Sequence, residues 1–399
     1  MNSIMEKTIV DTIEAASDEL RRISLELYEH PETGEHEYRS CRLLTEYLEG
    51  KGFKVTREAA GMPTAFMAEY SNSANGRRVG FCSEYDALPG IGQACGHELI
   101  AISGLACALA TKALLEKDLI QGTVVLYGTP AEESTSGKIT FVQEGLVESR
   151  VDVAMMIHPG PGDGLYVNYL AIDSVTVEYF GRASHAGQAP WNGINAVDAM
   201  MQAWDNVSML RQQTLTTNRI HGIITNGGKS ANVIPDYASC TFIARSLSKA
   251  QLAELKVKVE NCVKAAAVAT GCDIKLQWSP KGPTDDVFQN EPLAETYKHY
   301  MEAQGIKFLP KSVEEGIASG STDMGNFSYV VPTIHPFFGI GTTAPNHTIE
   351  FTKAAITEEA HKATLVAAEC LAKTAASVFL DDQLYQQAYA FFAKGKPQV

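Results

Sequence analysis

A chain of 399 residues exceeds what one ordinary hydrophobic core organises, so two domains are expected. Hydrophobic residues make up 45% and charged residues 20%, the balance of a soluble globular protein. A net charge of -14 without a dominant basic patch excludes a nucleic-acid backbone as the natural partner.

The N-terminal stretch MNSIMEKTIVDTIEAASDELRR has no basic start followed by an apolar core, so no secretory signal is expected. No uninterrupted run of about eighteen apolar residues occurs, so no membrane span is expected. The eight cysteines follow no framework spacing and read mostly as reduced, buried thiols. Cytoplasm is the expected location.

Residues 6–29 predict an amphipathic helix with Ile13, Leu20, Ile23 and Leu27 at helical spacing. HPETGEHE breaks it, and a second helix is predicted over 37–51, ended by Gly52. RRVGFCSEYD then reads as a strand entering a loop, ISGLACALATKALLEK as a helix, and GTVVLYGTPAEE and VDVAMMIHPG as two more strands with loops. Such alternation implies a mainly parallel sheet covered by helices. Near residue 170 the pattern changes. YLAIDSVTVEYFG, INAVDAMMQAWDNVSML, RIHGIITNGG, YASCTFIARS, KAQLAELKVKVENCVKAAAVATG and DIKLQWS follow in the order β-α-β-β-α-β, the ferredoxin-like arrangement. The expected fold is therefore α/β with two domains: a catalytic domain in two parts, 1–171 and 286–399, and an inserted α+β domain over 172–285. After the insertion, EPLAETYKHYMEAQG predicts a helix, VVPTIHPFFGIG a strand, and FTKAAITEEAHKATLVAAECLAKTAASVFL one long helix.

The polar residues gather where the strands end. Glu84, Asp86, Cys95 and His97 follow the first strand, Glu132 and Glu133 the second, and His158 the third. In open α/β sheets the site lies outside the carboxyl ends of the strands, so these loops are expected to converge. With His347, the set offers thiolate, imidazole and carboxylate, the donor types of zinc and related divalent ions. Taken one at a time they are ordinary: a lone cysteine is usually a small buried hydrophobe, and paired glutamates usually a solvated loop.

Eight motifs occur in order: EYDALPGIGQACGH, GTPAEE, MMIHP, GRASHAGQAP, HGIITNGG, SANVIPD, SGSTDMGN and NHTIEF. On these, from about His30 to the C-terminal helix, the chain resembles the M20 metallopeptidases and amidohydrolases. Within that family it is similar to the aminoacylase-like branch that holds M20-domain dipeptidases and aminobenzoyl-glutamate hydrolases. The resemblance implies a zinc-exopeptidase-like catalytic domain, with the insertion serving as lid and homodimer interface. It implies two divalent ions per chain, zinc fitting the donors best, with manganese or cobalt as alternatives. Cys95 would bridge the ions, and His97, Glu133, His158 and His347 would complete the ligands. Glu132 would be the general base for a metal-activated water, and Asp86 would orient a ligand histidine. His185 would contact the substrate carbonyl, and Asn232 and Arg245 its carboxylate. The substrate would be a dipeptide or N-acyl amino acid, with neither nucleic acid nor membrane as partner.

Two departures stand out. Relatives usually have histidine before Ala-Cys-Gly-His and aspartate or asparagine after it, where this chain has Gln93 and Glu98. Glu98 could compete for metal, alter the ligand surroundings or reshape the pocket. Arg245 could instead pair with Asp236. His221 and His335 read as structural or peripheral, and Thr322 and Asp323 as pocket lining or a turn cap. GIGTT at 339–343 lacks the lysine and helix of a phosphate loop. Two other functions stay open: amide formation or a specialised amidase at the same site, and a catalytically silent fold kept for binding or assembly.

Overall fold

The first helix of the computed structural model, which describes residues 1–317 and 319–395, is α1 (Ser3–Glu29). Asn2 starts it by accepting the Met5 N–H. Ile9, Ile13, Leu20, Ile23 and Leu27 form its buried stripe. After α2 (Tyr38–Gly50) the chain enters a sheet: β1 (Lys54–Arg57), β2 (Phe66–Ser71), β3 (Arg77–Glu84) and, beyond helix α3 (His97–Glu116), β4 (Gly122–Thr129). Helix α4 (Gly137–Gln143) and the short strands β5 (Val153–Met155) and β6 (His158–Gly160) follow. Strand β3 runs parallel to both β4 and β5, and all eight residues of β4 are buried, as expected of a sheet covered on both faces. Register then positions the site. Glu84 pairs with Thr129, so the loops after β3 and β4 leave the sheet at one level. Phe81 pairs with Met155, so continuing both strands brings Glu84 and His158 level.

The insertion supplies β7 (Ala171–Phe180), β8 (Ser184–His185), α5 (Ala196–Leu210), β9 (Arg219–Asn226), β10 (Val233–Ile234), β11 (Tyr237–Ser246), α6 (Lys249–Thr270) and β12 (Asp273–Trp278). Four of these strands form an antiparallel sheet in the order β12-β7-β11-β9. Val175, Val177 and Tyr179 of β7 pack with Ala199, Ala203 and Val207 of α5 and with Leu252, Leu255, Val259 and Val263 of α6. This unit, Tyr169–Asp286, has its own core.

The other unit joins Met1–Asn168 to the chain from Val287 onward. Its later part contains α7 (Glu291–Ala303), α8 (Lys311–Glu314), α9 (Met324–Ser328), β13 (Thr333–Ile334), β14 (Phe337–Gly339), α10 (Ile349–Ala355), α11 (Glu358–Leu380) and α12 (Asp382–Gly395). Strand β13 lies parallel to β5 and completes the order β1-β2-β4-β3-β5-β13. The pairs of β2 with β1 and β4 are antiparallel, so the sheet is mixed at that side.

Two predicted elements are divided. The strand expected over 330–341 becomes β13 and β14, interrupted at His335 and Pro336, where proline has no N–H for a ladder. The long helix expected from Phe351 becomes α10 and α11, because Thr357 turns extended and accepts the Ala360 N–H to cap a new helix. Among the described residues, α3 and α11 are long and apolar enough to cross a bilayer, but 94% of the α3 window is buried inside the protein. An apolar surface on every side is what a central core helix requires.

Candidate metal centre

The three loops converge. Gly96, at φ +81°, turns the chain into α3, so Cys95 and His97 flank the helix start. A side chain at Gly96 would meet Pro159 Cγ at 2.7 Å and Phe351 Cε1 at 3.2 Å, so the left-handed turn and the close approach both require glycine. Asp86, just past β3, accepts from His97 Nδ1 through its carbonyl at 2.8 Å and its Oδ1 at 3.1 Å. His158 Nδ1 donates to the Pro159 carbonyl at 2.8 Å. With each Nδ1 committed, each ring presents Nε2 as the free donor atom. Cys95 Sγ lies 3.5 Å from His158 Nε2. The late residue arrives by a backbone bond: His347 N–H donates to the Ala94 carbonyl at 2.8 Å, and its Nε2 lies 3.2 Å from Glu133 Oε1.

These atoms fall into two donor groups, Cys95–His97–His158 and Cys95–Glu133–His347, the atoms of each within 4.8 Å of one another. Both contain Cys95, so its sulfur stands where one thiolate would serve two ions. Glu132 belongs to neither of these two groups; it forms one set with His97 and Glu133 and another with Glu84 and Asp323. Its Oε2 lies 3.9 Å from His97 Nε2, and its side chain is 11% exposed.

The donor set fits divalent cations on the structure's own terms. The buried His97 Nε2 satisfies no hydrogen bond among the described residues, a costly state for a polar group unless something binds it. Glu84, Asp86, Glu132, Glu133 and Asp323 concentrate carboxylates here, and Lys138 Nζ sits between Glu84 Oε1 and, at 2.7 Å, Asp323 Oδ1. Burial, together with Glu84, Glu133 and Asp323, pushes the Glu132 carboxyl well above its ordinary value. Burial opposes charging His97, yet Cys95, Asp86 and Glu84 hold its imidazole well above the usual value. Glu133 is pulled down to about 2: burial raises it, but His347 and His97 outweigh that. Burial raises the Cys95 thiol, a shift that coordination as thiolate reverses. Negative charge packed this densely needs cations beyond one ammonium.

Of the sequence candidates, Asp86, Cys95, His97, Glu132, Glu133, His158 and His347 thus meet in one place. The other three lie in the inserted unit. His185 and Asn232 sit together where β8 meets β10: the Ala186 N–H donates to the Asn232 carbonyl at 3.1 Å. His185 Nδ1 accepts the backbone N–H groups of Gly187 and Gln188 at 3.2 and 3.1 Å, which places the ring N–H on Nε2, and the residue is exposed. Arg245 stands half-buried on β11, in register with Ile172 and Arg219.

Glu98 joins neither group that shares Cys95. It is fully buried, without a hydrogen bond to either oxygen among the described residues, and burial lifts its carboxyl to about 8. Sequence reasoning misses Lys138 altogether and leaves Asp323 open between pocket lining and a turn cap. Asp323 Oδ2 also accepts the Lys138 N–H at 2.9 Å. A lysine opening a short helix carries no local mark of this pairing. His335, read as structural or peripheral, is fully buried with its ring 5.7 Å from that of His158.

Known proteins resemble this chain along nearly its whole length. The peptidase dimerisation domain model of the M20 family matches residues 171–271. The chain is 40% identical to the Xaa-Arg dipeptidase of Mus musculus over 393 residues, covering 96% of this chain and 91% of that protein. It is 27% identical to a p-aminobenzoyl-glutamate hydrolase of Escherichia coli, covering 95% and 93%. Among solved structures, a dinuclear metal-binding peptidase of the M20 family from Bacillus subtilis superposes with a TM-score of 0.70 at 19% identity, covering 92% of this chain and 99% of that one. An aminobenzoyl-glutamate utilization protein from Klebsiella pneumoniae superposes with a TM-score of 0.73 at 19% identity, covering 94% and 99%. With its donor set and this likeness together, the chain belongs to the M20 family of metallopeptidases and amidohydrolases and is a metal-dependent hydrolase of amide bonds.

Proposed function

We propose that the protein cleaves the amide bond of a dipeptide or an N-acyl amino acid with Glu132 as general base. The observation that carries this reading is the position of Glu132: outside both donor groups that share Cys95, yet within 4.8 Å of donor atoms of His97 and Glu133, one from each. Divalent ions held by Cys95, His97, Glu133, His158 and His347 would polarise the scissile carbonyl and acidify a water. Glu132 takes the proton of the attacking water and returns it to the leaving nitrogen. Asp86 holds His97 in the tautomer that ligates. His185, whose ring N–H lies on Nε2, is the candidate donor to the developing oxyanion. Asn232 and Arg245 are the candidates for the substrate carboxylate, which a guanidinium fork matches in two hydrogen bonds.

The relatives named for Xaa-Arg dipeptides and aminobenzoyl-glutamate support a substrate whose amine side is an amino acid. Thiolate and imidazole donors favour zinc over manganese or cobalt. The dimerisation-domain match supports a homodimer through the inserted unit. All eight cysteines are free thiols, which supports a reducing, cytoplasmic setting.

The test is elemental analysis of wild type, Cys95→Ala and Glu132→Gln, with a panel of dipeptides and N-acyl amino acids on the same samples. About two ions per chain are expected in the wild type and a loss in Cys95→Ala. Glu132→Gln keeps its metal and loses about 10²–10⁴-fold in kcat. A wild type that stays metal-free after reconstitution sinks the mechanism; an active Glu132→Gln removes that residue from it.

A further inference from the structure

The segment HPETGEHE, a helix breaker in the sequence, is packed onto the loop that carries Glu132. Glu37 is fully buried, although its chain neighbours Glu35 and His36 are exposed. Its Oε1 accepts the Ala131 N–H at 2.8 Å, and its Oε2 accepts the Thr64 hydroxyl at 2.9 Å. Ala131 immediately precedes Glu132 and has φ +60°, a left-handed conformation that alanine adopts only when its surroundings impose it. The Ala131 carbonyl accepts the N–H groups of Ser134, Thr135 and Ser136, so the loop is wound around this one residue. On the far side of Glu132, the Glu133 N–H donates to Asp86 Oδ2 at 2.9 Å. The backbone on either side of Glu132 is thus tied to a separate buried carboxylate.

The rest of the segment closes on the same loop. Thr135 Oγ1 donates to Glu35 Oε1 at 2.7 Å. A side-chain carbon at Gly34 would lie 2.2 Å from Ser134 Oγ and 3.1 Å from the Ala131 Cα. The segment is itself anchored, the Ala87 N–H donating to the Glu32 carbonyl at 2.8 Å.

We infer that residues 30–37 clamp the general-base loop and that Glu37 is its positioning residue, an inference that rests on Glu132 being the base. Glu37 touches Thr64 and the Ala131 backbone; it joins none of the metal-donor groups among the described residues. Its removal therefore acts on where Glu132 stands, and leaves the ligand set in place. A base must stand within hydrogen-bond reach of the water it deprotonates, and a misplacement of about 1 Å can cost about 10²-fold.

The experiment measures kcat, KM, metal per chain and melting temperature for Glu37→Leu, which removes the acceptor of the Ala131 N–H, and for Gly34→Ala, against wild type and Glu132→Gln. Gly34→Ala wedges the clamp without touching Glu37, and it carries the test if the Glu37 variant does not fold. Both are expected to keep wild-type metal content and KM while kcat falls about 10–100-fold. Adding Glu37→Leu to Glu132→Gln should then lower the residual rate no further, because the clamp has no base left to position. Wild-type kcat in both variants, with Glu132→Gln inactive, overturns the clamp alone. Metal content falling in step with kcat assigns Glu37 a merely structural part and overturns it too. An active Glu132→Gln overturns the reading on which the clamp depends.

Discussion

Asp86 does two jobs with one side chain. One oxygen lies 3.1 Å from His97 Nδ1, and the other accepts the Glu133 N–H at 2.9 Å. Asp86→Asn keeps the shape but puts an amide N–H at one of these contacts, where only an acceptor fits. Metal affinity is expected to fall about 10–100-fold, read from chelator competition; wild-type affinity would leave the orientation to the Asp86 backbone carbonyl alone. Glu98 presents the opposite case, a buried carboxylate without a hydrogen bond among the described residues. Glu98→Met removes a polar group that costs about 1–3 kcal/mol to bury unpaired, so its melting temperature should rise while metal content stays unchanged. A fall in both would show that the carboxylate serves the centre after all. Residue type was legible for every proposed ligand. The direction of Glu98 was not, because helix α3 is buried on nearly every side and periodicity cannot say which neighbours a position meets.

At the scale of elements, the site is a consequence of register. Parallel β3 and β4 end at one level and the chain beyond β5 reaches it at His158, so their loops meet although Glu84, Glu132 and His158 are far apart in the chain. The start of α3 then sets Cys95 and His97 relative to the loop that begins at His158. Gly96→Ala forces a left-handed alanine against Pro159. A stability loss on the order of 1–3 kcal/mol is expected, with lower metal content; denaturant melts and elemental analysis check it, and wild-type values in both would show that the helix start tolerates a shift. The order of strands and helices was readable from hydrophobic patterning. The breaks at Pro336 and Thr357 were passed over because the apolar pattern continues through both, and the local backbone chemistry decides instead.

Two properties belong to the whole molecule. Burial, with the charge of Asp86, raises the Glu37 carboxyl to about 7 from an ordinary 4.5. The folded protein therefore holds this proton more tightly than the unfolded chain does. Its contribution is complete below pH 4.5 and is lost as pH rises through about 7, on the order of 3 kcal/mol in all. Glu37→Gln lacks this slope, so the stability gap between variant and wild type should shift in favour of the variant between pH 5 and 8; a constant gap would show that Glu37 is ionised throughout. Oligomeric state is the second property. Strand β9 is an edge of the inserted sheet, with Ile223 64% and Ile224 47% exposed, a template for pairing unless something covers it. Ile223→Lys is expected to shift a dimeric wild type toward monomer in light scattering. A wild type that is monomeric at all concentrations would end the dimer reading.

The sequence by itself determined the donor chemistry, because thiolate, imidazole and carboxylate are properties of residue types. It also determined the order of elements, because apolar periodicity is local. Only the tertiary structure decided which acids share Lys138, what Glu37 holds and where Glu98 is buried. The Ala131–Glu37 and Lys138–Asp323 bonds join residues 94 and 185 positions apart. Such contacts arise when separate layers pack against one another, and no short stretch of chain records them.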